Sequence, residues 1–404
     1  MNKISKRCLA TSALGKRSRN VTLATPPPPF PVIPTCPSPT CQCSPTPADL
    51  DIDRTRDLNG SMSPYAQHLL ISTGRKDWTS RIEDERDTAP WGRFTAEMKA
   101  ILGRGGEFHD PYNNILLSTS SFTPWAQPEL QQQHNPSSSR RATQPPPDPD
   151  RGPEPQIDAL LFPAFKHLRG LTTSPTLLQT LTRAYLLPTT LHPIHAPETL
   201  STSALRSKTR DASLASTLPI GVADITTPTI LICSHGQRDS RCGVLGPLLQ
   251  REFATYIDRR HREIPSGLAA VAETGVFTAS ASEATATGGS GGGGGGGAPN
   301  TDSKSRSPVP INVGTVSHVG GHKWAGNVIV YIPPNAVVVN ADAGAGADVT
   351  PQQQPHPLVG KGIWYGRVEP RHVQGIVEET VLRGRVIKEL FRGGVDRAGK
   401  VIRL

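Results

Sequence analysis

The chain reads as an α/β protein of two α/β units, the second built in the order β-α-β-β-β-α. Three observations predict this. Short apolar runs of strand length alternate with helical periodicity in both halves. The 38 Gly and 40 Pro, 78 of 404 residues together, are concentrated in a few segments between those runs. Only 35% of residues are hydrophobic, so packed regions must be joined by stretches that cannot build a core. The length suits about two domains of ~150 residues.

The order along the chain is as follows. Residues 1–30 hold Lys3, Lys6, Arg7, Lys16, Arg17 and Arg19, and the first acidic residue is Asp49. A basic, Ser/Thr-bearing, acid-free start is the composition of a mitochondrial transit segment. Residues 31–48 are Pro- and Cys-rich and favour an extended backbone. A smaller α/β domain is expected over 49–215, with a disordered Gln/Pro/Ser insert at 126–156. Its strands are "YAQHLLIS" (65–72) and "NNILLSTSSF" (113–122), around the helix "PWGRFTAEMKAIL" (90–102). "IDALLFPAFKHL" returns to order, and "SPTLLQTLTRAYL" is an amphipathic helix.

The second domain spans 218–404. "PTILICS" (228–234) is a continuous apolar run, read as a buried strand. "GVLGPLLQREFATYI" (243–257) repeats apolar residues at i, i+3 and i+4, as a helix does. A Gly-rich insert (279–309) cannot pack. Strands follow at "PINVGTVS", "NVIVYIP" and "GIWYGRV", with a loose loop at 341–359. A last helix begins near Pro370 and stops at Gly384, with His372 expected on its exposed side. Without the inserts this is the element order of a thioredoxin-like fold. An internal echo pairs "ISTGRKD" (71–77) with "CSHGQRD" (233–239), each after an apolar strand, and suggests two related halves.

The net charge is +9, but no basic stripe with interleaved aromatics is present, so no nucleic-acid partner is expected. No apolar run approaches ~18 residues, so no membrane span is expected. Six cysteines are too few for a disulfide scaffold.

Their placement points to chemistry. Cys233 comes off one strand and Cys242 follows eight residues later, before a helix. His318 comes off another strand, with His322 four residues on and Gly320–Gly321 between them. Adjacent glycines are poor helix interior, so this histidine pair belongs to a loop. Strand ends of one sheet converge on a rim, so C-x8-C and H-x3-H can meet. Thiolate with imidazole suits zinc or an iron–sulfur cluster. Single structural zinc ions usually sit in tighter knuckles, and the long spacer better suits the two irons of a [2Fe–2S] rhomb. Gly236, Gly320 and Gly321 would then give room and positive φ around a cluster. His235, between the cysteines, is a possible substitute ligand. Arg238 and Arg241 read as a solvated loop, Asp239 as a turn cap, and Trp324 as core or shield. Cys36, Cys41 and Cys43 form a separate set, read as redox thiols, a second metal site, or cysteines without a defined role.

"CSHGQRDSRCGVLGPLL", "VSHVGGHKWAGNVIVY" and "GIWYGRVEP" resemble the sucrase/ferredoxin-like family, and the likeness covers most of residues 36–404 outside the inserts. The resemblance implies a thioredoxin-like [2Fe–2S] ferredoxin. It implies Cys233 and Cys242 as thiolate ligands and His318 and His322 as imidazole ligands. No carboxylate pair set out for glycoside hydrolysis is visible. The expected activity is electron transfer or redox sensing with partner proteins in the mitochondrion. The alternatives are a thiol–disulfide oxidoreductase using the N-terminal cysteines and a zinc-stabilised interaction module.

Overall fold

A computed structural model describes residues 27–125, 155–263, 310–339 and 353–404. Most of the transit-like segment, the Gln/Pro/Ser insert up to residue 154, the Gly-rich insert and residues 340–352 lie outside the described residues.

The elements in the first half are β1 (Val32–Ile33), β2 (Gln67–Ser72), α1 (Pro90–Leu102), β3 (Ile115–Ser120), β4 (Ile157–Phe162), β5 (Lys166–Leu171), α2 (Pro175–Leu181), α3 (Thr202–Lys208) and β6 (Gly221–Asp224). The second half has β7 (Thr229–Cys233), α4 (Ser240–Glu263), β8 (Asn312–Val316), β9 (Val328–Ile332), β10 (Val337–Val339), β11 (Gln353–Pro355) and β12 (Lys361–Tyr365). It closes with α5 (Val373–Gly375), which widens into a π-helical turn as far as Leu382, then β13 (Val386–Ile387), β14 (Phe391–Val395) and β15 (Val401–Ile402). The expected strands and helices are present, and the chain is α/β.

Eleven strands form one mixed sheet in the order β15-β14-β12-β9-β7-β8-β3-β2-β4-β5-β6. The sheet has an internal two-fold pattern. In the first half β2 runs parallel to β3 and antiparallel to β4, and β5 and β6 follow antiparallel. In the second half β7 runs parallel to β8 and antiparallel to β9, and β12 and β14 follow antiparallel. The halves meet antiparallel where Ser120 of β3 stands opposite Val316 of β8. The weak echo "ISTGRKD"/"CSHGQRD" therefore marks equivalent strand ends in two halves of the same topology.

Both faces of the sheet are covered. Alternate residues of β2 serve different cores: Leu69 and Ile71 pack with Phe94 and Met98 of α1, and Leu70 joins the larger core around β7 and α4. On α4, Leu245, Leu249, Phe253 and Ile257 recur every four residues and are buried against β7 and its neighbours. Gly246 lets the helix lie directly on the strand end, since a Cβ there would stand 2.5 Å from the Ser234 Cα. At about 1.5–3 kcal/mol for each fully buried large apolar side chain, this face dominates the helix's stability.

A buried polar chain ties the halves together. The Trp364 indole N–H donates to the Tyr65 hydroxyl at 2.8 Å, and the Tyr65 and Tyr331 hydroxyls share a 2.7 Å bond. His68 Nδ1 lies 3.0 Å from the Tyr331 hydroxyl, and its Nε2 bonds Ser118. Tyr331 also stacks on Phe162 at 4.0 Å. Tyr65, His68, Ser118 and Phe162 belong to the first half, and Tyr331 and Trp364 to the second, so this chain fastens one half to the other.

Three expectations change. The later part of the 341–359 loop is ordered: β11 pairs antiparallel with β10, and His356 is buried with Nε2 bonded to the Val381 carbonyl at 3.1 Å. His372 is buried as well, because its Nδ1 accepts the Glu369 N–H at 3.0 Å and caps its own helix. The strands β14 and β15 extend the sheet beyond the last expected helix.

Replacing Tyr331 by Phe strands His68 Nδ1 in the core and leaves the Tyr65 hydroxyl with the Trp364 indole alone, and the loss expected in urea unfolding is about 1–3 kcal/mol. Burial also lowers the pKa of His68 to about 3 and of His356 to about 4. Unfolded, each would take a proton near pH 6.5. Stability should therefore be full above about pH 6.5 and fall as the pH drops toward 4 and then 3. A urea midpoint that stays flat from pH 7 to 4 would contradict this.

Candidate functional site

The site is assembled by a register. In the parallel β7/β8 ladder Cys233 stands opposite Val316, so both chains leave the sheet at one edge. From Cys233 a short loop returns as α4, whose first turn carries Cys242. From Val316 the chain passes His318, turns through Gly320 and Gly321 at φ +92° and +78°, and reaches His322 at the start of a helical turn ending at Trp324. The four residues singled out from the sequence thus meet at one sheet edge.

Cys233 and Cys242 are buried and unpaired by any disulfide. The Cys242 thiol hydrogen-bonds the Cys233 sulfur, which also receives the His318 ring and the Val319 N–H. These donors hold the Cys233 thiol well below its usual pKa. Donation to Cys233 and burial push Cys242 up. Ionisation of this pair therefore falls to Cys233 before Cys242. The rings of His318 and His322 are 5.4 Å apart between centroids and tilted by 36°. His318 Nδ1 is buried with no hydrogen-bond partner. Among the described residues no group of three or more His, Cys, Asp or Glu side chains is arranged to hold a metal ion. The soft donors come as a thiol pair and an imidazole pair.

The neighbours have definite roles. His235 is 1% exposed and both ring nitrogens are engaged. Its Nε2 donates to the carbonyls of Trp78 and Thr79, each at 2.9 Å, and its Nδ1 accepts the His318 N–H at 3.0 Å. With no lone pair free, His235 positions His318 rather than substituting for it. Gly236 lies against Gly243, where a Cβ would stand 3.2 Å from the Gly243 Cα, so the loop can rest on the first turn of α4. Gly320 is needed for its φ, since a Cβ there meets nothing closer than 3.5 Å. At Gly321 a Cβ would fall 2.3 Å from Nη2 of Arg392, so the room there belongs to a buried arginine. Asn327 joins the two, donating to the Gly321 carbonyl at 3.0 Å and accepting from Arg392 at 2.6 Å.

Asp239 accepts the Arg241 N–H at 3.1 Å, as a helix cap does. Arg241 is no free loop cation: its guanidinium makes two bonds of 2.9 Å to the Asp239 carboxylate. That hydrogen-bonded pairing lowers the Asp239 pKa. Arg238 remains exposed, 3.3 Å from the Ser80 hydroxyl. Trp324 is buried beneath Lys323, with Arg392 stacked on it at 5.0 Å. Sequence reasoning missed Arg392 and Asn327. The only local signal for Arg392 was a charge inside "ELFRGGV", a stretch too short and glycine-rich to read as a strand.

The N-terminal cysteines sit elsewhere. Residues 31–48 run along α4 and α5, anchored by β1 pairing parallel with β13. Cys36 packs against Gly375, and its N–H donates to Glu389 at 2.7 Å. Burial, reinforced by the Glu389 charge, pushes the Cys36 thiol up to about 12, so little thiolate exists at neutral pH. Cys41 contacts Gln374, and Cys43 contacts the Cys41 carbonyl. Both line a small crevice with Glu252 and Tyr256 of α4. Glu252 is ten residues beyond Cys242, about 15 Å along the helix. These thiols do not join the Cys233/Cys242 pair.

The sucrase/ferredoxin-like family model matches residues 58–393, which takes in both halves of the sheet and all four residues of the site. The chain belongs to that family. A Debaryomyces hansenii protein named altered inheritance of mitochondria protein 32 is 26% identical over 354 residues, covering 85% of this chain and 88% of its own length. The Meyerozyma guilliermondii protein of the same name is 30% identical over 175 residues, 43% of this chain and 37% of its own. Actin patches distal protein 1 of Saccharomyces cerevisiae is 26% identical over 153 residues, 38% of this chain and 29% of its own. The chain thus spans most of the first of these relatives and about a third of the other two. No solved structure matches.

His235→Ala leaves two carbonyls and the His318 N–H without their partner in a buried setting. The expected loss is about 1–3 kcal/mol in urea unfolding. An unchanged midpoint would show that His235 does not hold the loop.

Proposed function

We propose that the chain is a mitochondrial redox protein whose Cys233, Cys242, His318 and His322 hold a [2Fe–2S] cluster, in a half of thioredoxin-like topology. The observation that carries this is the pairing at one sheet edge of two buried thiols, Cys233 held well below its usual pKa, with a half-buried imidazole whose buried Nδ1 has no partner. The donor set fits the group: thiolate and imidazole are the soft and borderline ligands that iron–sulfur clusters accept. An orphaned buried ring nitrogen is costly unless something binds it. The strand order β8-β7-β9-β12, parallel only in its first pair, with α4 between β7 and β8 and α5 after β12, supports the thioredoxin-like reading. The mitochondrial part rests on the relatives' names and on the basic, acid-free first 30 residues.

Bound there, a cluster with two neutral imidazoles supplies a one-electron couple, and mixed His₂Cys₂ ligation raises the potential from about −400 mV toward the Rieske range of about −150 to +300 mV. The chain's own residues do the remaining work. The Val319 N–H favours the Cys233 thiolate, and His235 fixes the backbone of His318. Val319 and Trp324, which flank the two histidines in the loop, are themselves buried.

Anaerobically purified protein should be red-brown, with about two irons and two sulfides per chain. Cys233→Ser or His318→Ala should abolish the colour, while Cys41→Ser with Cys43→Ser should keep it. A colourless protein with one zinc per chain would sink this reading in favour of a zinc-stabilised module.

A further inference from the structure

Arg392 is an oddity that the ligand set does not explain. It lies in β14, is 1% exposed, and is among the largest fully buried side chains. A buried guanidinium normally sits on a carboxylate, because removing its charge from water without a counter-charge is costly. Arg392 has no such partner among the described residues, and all its hydrogen bonds go to neutral oxygens. Nε donates to the Ser61 hydroxyl at 3.2 Å and Nη2 to the Ser61 carbonyl at 2.8 Å. Nη1 donates to the Gly320 carbonyl at 3.2 Å and to Asn327 Oδ1 at 2.6 Å. The ring faces of Trp324 and Trp364 lie 5.0 and 5.8 Å from its carbon centre. The groups whose ionisation would favour its charge are Cys233 and Cys242.

We infer that Arg392 is a positioning and charge-compensating residue of the thiol/imidazole site, clamping the loop between His318 and His322 and serving as the site's counter-cation. This rests on the cluster reading for its redox consequence and on the geometry alone for the clamp. The clamp follows from the fork. One guanidinium reaches Gly320 directly, Gly321 through Asn327, and Ser61 on the far side, a span that a lysine ammonium cannot reproduce. Gly321 is glycine because the guanidinium occupies the space a Cβ would need. The counter-cation role follows from charge. Burial lowers the pKa of Arg392 only to about 10, so it stays protonated at neutral pH. A fixed positive charge hydrogen-bonded to the loop between the two histidines favours the state with one more electron, and so raises the reduction potential.

Two substitutions separate the roles. Arg392→Lys keeps the charge and loses the fork, and Arg392→Met loses both. In the purified full-length chain, Arg392→Met should retain iron and sulfide but titrate at a lower midpoint potential. Arg392→Lys should titrate near the wild-type value. In both variants, amide hydrogen exchange over 318–327 should speed up by about tenfold in the metal-free chain, as expected for losing a buried hydrogen-bonded clamp. Should Arg392→Met fail to fold, the lysine variant decides: a potential far below wild type overturns the counter-cation role. Unaltered exchange over 318–327 overturns the clamp. A wild-type chain without iron would defeat the cluster reading and the redox consequence together, and the exchange measurement would still decide the clamp.

Discussion

Cys233 opposite Val316 in a parallel ladder is the constraint on which the site depends. Parallel pairing makes both strands release their chains at the same edge. Two segments about eighty residues apart in sequence thereby deliver a thiol and an imidazole to one place. A shift of one residue would turn Cys233 to the opposite face of the sheet and break the thiol pair. The register is held from several sides: β9 pairs along the other flank of β7, α4 lies on its face through Gly246, and His235 bonds the His318 backbone.

The two-fold pattern of the sheet explains why the halves cannot be understood apart. The loop after β2 and the loop after β7 occupy equivalent places and touch. His235 donates to the carbonyls of Trp78 and Thr79, and Asp77 lies beside Gly236. In the first half, Ile71 stands at the place in "ISTGRKD" that Cys233 takes in "CSHGQRD", and it packs into the α1 core. The first half has become the wall of a site whose donors come from the second. The buried chain from Trp364 through Tyr65 and Tyr331 to His68 makes that dependence energetic, since each hydroxyl of one half is satisfied by the other.

Charge organises the site as much as shape. The buried thiol pair belongs to the same site as a buried guanidinium that has no carboxylate of its own among the described residues. Outside this inner pair Arg241 is neutralised by Asp239, so it adds little net charge. The buried guanidinium therefore meets few competing charges in a poorly screened environment.

Much was legible in the residues themselves. The apolar runs at 67–72, 229–233 and 328–332 and the four-residue periodicity of α4 are local patterns that secondary structure follows directly. So were C-x8-C and the glycine-separated histidine pair, whose residue types already limited the chemistry to soft-metal or redox work. What only the tertiary structure decided is long-range. β14 forms because β12 offers it a partner, although "FRGGV" is poor strand sequence. His372 and His356 are buried because helix capping and the β10/β11 hairpin draw them in. Gly321 clears space for Arg392, some seventy residues away, and His235 is a brace because both its nitrogens meet backbone from distant loops. Periodicity and spacing report what a segment can do by itself. Counter-charges, braces and close approaches depend on which segments the sheet register sets side by side, and no local pattern encodes that.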